Sequence, residues 1–169
     1  FDNLYSSNLL LGYLKAHHKE MLENIVIMSP DPGGASRARA FASKLSIENI
    51  VIGWKYKPEG RISEYKITGN VADKNILIVD DIVDSGNTLI KAAEEARRQG
   101  AKKVYAYCTH GVFSGNAREN VSKNLDLIMV SNSIYQPEQK KIEVISLNDF
   151  FAEAIYRTNE GKSLSELFE

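Results

Sequence analysis

Two adjacent carboxylates, Asp80 and Asp81, close the apolar run Ile76-Leu77-Ile78-Val79 and lead into Ile82-Val83-Asp84-Ser85-Gly86-Asn87-Thr88. Such a run is too short for a helix and suits a strand buried on both faces. The turn that follows is built of small hydrogen-bonding residues and opens a helix at Thr88. A helix start offers free backbone N–H groups to an anion, and ligands of open α/β sheets bind at the carboxyl ends of strands. Ser85, Gly86, Asn87 and Thr88 are short enough to let a phosphate reach that backbone. Asp80 and Asp81 have the wrong sign for a phosphate, but they suit hydroxyl donors or a divalent cation. A carboxylate pair beside a phosphate cradle describes a sugar phosphate. Taken singly, Asp84 or Ser85 reads as a helix N-cap and the Asp pair as solvated turn chemistry; the pattern as a whole argues against that.

The elements that must position this segment follow from the apolar runs. Ile25–Met28, Ile50–Ile52, Ile76–Val79, Val104–Tyr107 and Leu127–Val130 read as five strands. Residues Ala35–Leu45 and Thr88–Arg98 read as helices, with Leu89, Ala92, Ala93 and Ala96 on one face of the second. Gly100 is a helix stop after it. Leu147–Thr158 reads as a last helix with Phe150, Phe151, Ala154 and Ile155 as its apolar face. Strand-helix alternation with short links predicts a parallel sheet flanked by helices. Residues Lys55–Gly69 break the rhythm, with no core pattern before Tyr65, and an excursion of this length is usually functional or disordered.

Composition narrows the partners. The 169 residues carry 21 basic and 22 acidic side chains and a net charge of −1, so no large field marks a nucleic-acid or membrane-surface partner. No apolar run approaches the roughly 20 residues of a membrane span. Cys108 is alone and has no internal disulfide partner, which suits a cytoplasmic protein. The chain is read as one domain over residues 1–169. It opens on Phe1 without an initiator Met and reads as part of a longer polypeptide.

The Asp80–Thr88 segment resembles the phosphoribosyl-pyrophosphate-binding loop shared by type I phosphoribosyltransferases and ribose-phosphate pyrophosphokinases. Ser29-Pro30-Asp31-Pro32-Gly33-Gly34, Cys108-Thr109-His110-Gly111, Ser131-Asn132-Ser133 and Ser163-Leu164-Ser165-Glu166-Leu167-Phe168 all resemble the pyrophosphokinases. The match runs in order from Asp2 to Phe168 and corresponds to the carboxyl-terminal half of that family's chain. The resemblance implies a type I phosphoribosyltransferase-like α/β fold. It further implies transfer of diphosphate from ATP to the anomeric hydroxyl of ribose 5-phosphate.

By the same resemblance, Asp84, Ser85, Gly86, Asn87 and Thr88 hold the 5-phosphate, and Asp80 with Asp81 the ribose hydroxyls. Asp31 matches the family's Mg²⁺-linked Asp; on its own it reads as a turn residue beside Pro32 and Gly33. In the family a loop after the second strand carries a Lys and an Arg two positions apart that close over the transferring phosphates. Lys55 and Lys57 have that spacing here, and Lys57 stands where Arg is usual, so the bidentate fork is lost. Asn87 stands where the family has Gly; if φ > 0 is needed there, Asn is the best-tolerated substitute. Ser163, Ser165 and Phe168 match a tail that helps form a regulatory phosphate or ADP site between subunits, and the family's dimers assemble as hexamers.

Other residues carry less. His17 and His18 read as solvent-facing, His110 as a strand-end residue open to a substrate contact or a structural hydrogen bond, and Cys108 as core. Trp54 adjoins the Lys55–Gly69 interval. Arg37 and Arg39 open a helix where they either meet phosphate or coat a surface. Two rival readings are a true type I phosphoribosyltransferase, which needs a base-recognising hood that no segment supplies, and a non-catalytic regulatory paralogue of the synthetase.

Overall fold

The computed structural model describes residues 4–56 and 64–167. Seven strands form one sheet in the order β3-β2-β1-β4-β5-β6-β7. They are β1 (Ile25–Ser29), β2 (Val51–Tyr56), β3 (Glu64–Thr68), β4 (Asn75–Val83), β5 (Lys103–Gly111), β6 (Leu127–Ser131) and β7 (Ile142–Ile145). The helices are α1 (Ser7–His17), α2 (Ala35–Ser43), α3 (Asn87–Arg98), α4 (Ala117–Asn124) and α5 (Asn148–Asn159). All strand pairs are parallel except β2–β3.

Successive side chains of a strand point to opposite faces, so each central strand feeds two cores. Ile76 and Ile78 of β4 join Leu89, Ala92, Ala93 and Ala96 of α3 and Val121 of α4 on one face. Leu77 and Val79 join Leu10 and Leu14 of α1 and Phe41 of α2 on the other. Side chains such as Phe41, fully buried, contribute roughly 1.5–3 kcal/mol each. The apolar runs are continuous because both faces are covered. Gly100 ends α3 as expected, at φ 91°, while Ala101 N–H donates to the Ala96 carbonyl.

The topology places a switch point beside β4. From β1 the chain moves outward through α2 to β2, and β4 returns on the other side of β1 before the chain proceeds to β5. Crevices at such points receive ligands in open α/β sheets.

Several expectations need correction. The sheet is mixed, because β3 runs antiparallel to β2 at one edge. The described part of the Lys55–Gly69 interval is largely strand: Lys55 and Tyr56 end β2, and Glu64–Thr68 is β3, paired from Ile52↔Thr68 to Tyr56↔Glu64. β7 and α4 also escaped the sequence reading. His18 is not solvent-facing; its Nε2 lies 2.6 Å from Glu143 Oε2 of β7, and its side chain is 15% exposed. On α5 only Ala154 is buried, whereas Phe151 and Ile155 are 45% and 68% exposed.

Candidate active site

Each catalytic, metal and ribose 5-phosphate candidate on the described chain stands at or just beyond the carboxyl end of β1, β2 or β4. The turn after β1 carries Asp31. Its Oδ1 accepts from Gly34 N–H at 3.0 Å, and the Ser29 hydroxyl donates to the Asp31 carbonyl at 2.6 Å. Gly34 must lack a side chain, since a Cβ there would lie 2.7 Å from Ser29 Oγ. Asp31 is thereby a helix N-cap for the short Pro32–Gly34 turn, with Pro at the first position. Asp31 is exposed, and its second carboxylate oxygen has no donor among the described residues.

β4 delivers the acidic pair. Asp80 and Asp81 are the sixth and seventh residues of that strand, and Asp81 N–H donates to Asp80 Oδ1 at 2.9 Å. Arg37 of α2 bridges the two, Nη1 to Asp80 Oδ1 at 2.8 Å and Nη2 to Asp81 Oδ2 at 2.6 Å. Sequence reasoning had left Arg37 undecided between phosphate and surface; the structure pairs it with the carboxylates. Burial is the main cause pushing the Asp80 carboxyl up to about 6, with the Asp81 charge adding to it and the Asp81 N–H and Arg37 opposing.

Beyond the pair, β4 ends at Val83, and Asp84-Ser85-Gly86 turns into α3. The left-handed residue is Gly86, at φ 74°. A Cβ there would also meet Val121 Cγ2 at 2.3 Å, so α4 closes on this turn from behind. This corrects the expectation for Asn87, which is the first residue of α3 and needs no positive φ. The N-cap Gly86 offers no side chain to α3, and the one side-chain bond at its start is long, Asn87 N–H to Ser85 Oγ at 3.5 Å. Asp80 and residues 82–89 line a cleft of about 190 Å³ here. On the α2 side of the pair, a larger cleft of about 600 Å³ is lined by Arg37, Asp81, Tyr107, Thr109 and His110, among others. His110 makes a structural hydrogen bond while lining this cleft: its Nδ1 is 2.8 Å from Ser133 Oγ, tying β5 to the turn after β6.

Lys55 is exposed on β2, directly opposite Tyr65 of β3. Lys57 and Phe168 lie outside the described residues. Ser163 and Ser165 sit after α5, their hydroxyls 2.7 Å apart, with the Ser163 carbonyl accepting from Arg157. Among the described residues no hydrogen bond joins their hydroxyls to the β4–α3 turn.

The sequence profile of the phosphoribosyl synthetase-associated domain matches residues 55–169, more than half of the chain. The chain belongs to that family. Among curated relatives, the ribose-phosphate pyrophosphokinase of Campylobacter jejuni is 39% identical over 169 residues, which cover 99% of this chain and 54% of that protein. The ribose-phosphate pyrophosphokinase of Vibrio cholerae is 40% identical over 173 residues, again 99% of this chain and 54% of the relative. The chain thus spans about half the length of the curated relatives it matches. The crystal structure of phosphoribosylpyrophosphate synthetase from Mycobacterium smegmatis superposes with a TM-score of 0.80 at 26% identity, covering 92% of this chain and 51% of that one.

Likeness of fold extends further than likeness of sequence. The adenine phosphoribosyltransferase of Giardia lamblia, solved with 9-deazaadenine, superposes with a TM-score of 0.56 at 13% identity. The orotate phosphoribosyltransferase of Aeropyrum pernix does so at 0.53 and 16%. The phosphoribosyl synthetase-associated domain is therefore a type I phosphoribosyltransferase-like α/β fold, with its acidic pair and its glycine-opened helix start both at the switch point.

Proposed function

We propose that this chain supplies the ribose 5-phosphate site of a ribose-phosphate pyrophosphokinase, corresponding to the carboxyl-terminal half of the intact enzyme and forming one domain over residues 1–169. The observation that carries the reading is the adjacency, along nine residues of one strand and turn, of two carboxylates and a glycine-opened helix start. In this reading Asp84, Ser85, Gly86, Asn87 and Thr88 hold the 5-phosphate, whose charge the α3 N-terminus favours. Asp80 and Asp81 accept hydrogen bonds from the ribose hydroxyls.

The anomeric hydroxyl oxygen of ribose 5-phosphate attacks the β-phosphorus of ATP. The bond from that phosphorus to the α,β-bridging oxygen breaks, AMP leaves and phosphoribosyl pyrophosphate forms. Catalysis of such a transfer rests on positioning and charge neutralisation. Lys55, and Lys57 beyond it, neutralise charge on the transferring phosphates, with Lys57 acting as a point charge where a fork is usual.

Mg²⁺ fits one residue of this set. It favours one or two carboxylates together with substrate phosphates and retained waters. Asp31 offers an oxygen without a donor, while among the described residues no group of three acidic, His or Cys side chains forms a cage. Asp31 would hold the ion, which when bound supplies positive charge at the diphosphate.

The remaining features belong to the same reading. A cytoplasmic location fits a chain in which no described helix is long and apolar enough to cross a membrane. A homo-oligomer, a hexamer built of dimers, would give cover to apolar surface such as Phe151 and Ile155. Ser163, Ser165 and Phe168 would contribute to a regulatory phosphate or ADP site between its subunits.

The test is product analysis with the intact enzyme. Ribose 5-phosphate and Mg-ATP should yield AMP and phosphoribosyl pyrophosphate in equal amounts, whereas the isolated 169-residue chain should bind the sugar phosphate without turnover. Consumption of phosphoribosyl pyrophosphate by a free nucleobase would point to a phosphoribosyltransferase instead.

A further inference from the structure

Arg37 reaches the acidic pair from a different element, and it takes one oxygen from each carboxylate. Its guanidinium is a rigid planar fork, so binding Asp80 Oδ1 and Asp81 Oδ2 together fixes the two carboxyl groups relative to each other. Asp81 N–H also donates to Asp80 Oδ1, which completes that oxygen's partners. Asp80 Oδ2 and Asp81 Oδ1 then remain without an N–H donor among the described residues. The arrangement leaves one acceptor oxygen per carboxylate, on adjacent residues.

Arg37 also passes close to the β1–α2 turn: a Cβ built on Gly34 would lie 3.4 Å from Arg37 Nη1, an ordinary contact distance. Asp81 is 61% exposed, and the Arg37 fork, itself 37% exposed, restrains its rotamer. A plain surface ion pair would contribute little to stability. A pair that orders two acceptors beside a cleft contributes to recognition instead.

We infer that Arg37 is a positioning residue that sets Asp80 and Asp81 to accept two neighbouring hydroxyls at once, and so determines preference for a ribose over a deoxyribose phosphate. The inference rests on the ribose 5-phosphate reading above and adds to it the residue that creates the preference. Arg37 touches the carboxylates, and the carboxylates touch the sugar. The Arg37 charge also opposes the burial that favours protonated Asp80, keeping that group an acceptor.

Calorimetric titration of this chain at pH 7.5 with ribose 5-phosphate and with 2-deoxyribose 5-phosphate tests it. A hydroxyl donating to a carboxylate corresponds to roughly 10- to 100-fold in affinity, and the native chain should prefer the ribose form by that order. In Arg37→Ala the preference should collapse to about threefold or less, through loss of ribose 5-phosphate affinity. Arg37→Lys keeps the charge without the fork; it should lose the preference as Arg37→Ala does, with 2-deoxyribose 5-phosphate affinity unchanged. Retention of the native preference in Arg37→Ala, or equal weakening of both ligands, would overturn the inference while leaving the ribose phosphate site intact. A native chain that binds ribose 5-phosphate without preferring it would also overturn it. Absence of binding to either ligand would overturn the underlying reading as well.

Discussion

The Tyr65 hydroxyl donates to the carbonyl oxygen of Pro30 at 2.5 Å, joining the edge ribbon β2–β3 to the turn that carries Asp31. Gly53 makes this possible, because a Cβ at that position would lie 1.9 Å from the Tyr65 oxygen. Burial, and then the charges of Asp31 and Asp80, raise the Tyr65 hydroxyl above its usual range, so it remains a donor at any physiological pH. Tyr65 also faces Lys55 across the ribbon. Tyr65 thus ties the strand that carries Lys55 to the turn that carries Asp31.

Tyr65→Phe removes the donor and leaves the Pro30 carbonyl without it. The expected loss is about 1 kcal/mol of stability, a fall of roughly 2–4 °C in Tm by thermal denaturation. Gly53→Ala should break the same bond and add the strain of overpacking, about 1–3 kcal/mol. The two changes should be less than additive, since both act on one contact.

Gly86→Ala tests the turn. A left-handed alanine costs about 1–2 kcal/mol, and the clash with Val121 Cγ2 adds to it. Val121→Ala in the same chain should relieve the clash and leave the backbone penalty, which a double-mutant cycle of denaturant midpoints reads directly. Asn87→Gly, one residue further on, should be nearly neutral for the loop because that backbone is already helical.

Acid titration should separate two roles of Asp80. Its carboxyl titrates at about 6 in the folded chain against about 3.9 when unfolded. The folded state therefore binds the proton more tightly, and this group's contribution to stability is present below pH 4 and lost as pH rises through 6. Tm should accordingly gain from this group as pH is lowered from 8 towards 5, and Asp80→Asn should remove that component. Ribose 5-phosphate affinity should move the opposite way, falling below pH 6 as Asp80 stops accepting. The ligand phosphate also titrates near 6, and Asp80→Asn isolates that part.

Lys55→Ala in the intact enzyme should lower kcat by about 100-fold or more, the order lost when a group that stabilises transition-state charge is removed. Ribose 5-phosphate affinity should barely change. An unchanged kcat would remove Lys55 from the catalytic set.

The parts of this molecule that were legible in the sequence are those dictated by local chemistry. Ile76–Val79 announced a doubly buried strand, and the residues that follow announced a turn and a helix start. Gly86 and Gly100 both stand where φ is positive. β3 was missed because Glu64, Lys66 and Thr68 alternate with Tyr65 and Ile67 at a sheet edge, where only one face is covered; the period of two was present but short. α4 offered little beyond Ala117 and Val121, four residues apart. His18 escaped because its partner Glu143 is 125 residues away. Arg37 escaped for the same reason: pairing with carboxylates 43 and 44 positions on depends on α2 and β4 lying side by side.

The central claim is that the β4–α3 turn and its acidic pair bind a phosphorylated pentose. Isothermal titration of the folded chain with ribose 5-phosphate in the presence of Mg²⁺ tests it most directly. The account predicts saturable heat with one site per chain, weakened by Asp81→Ala and by competing inorganic phosphate. No heat on folded protein, or binding that neither the substitution nor phosphate alters, would contradict it.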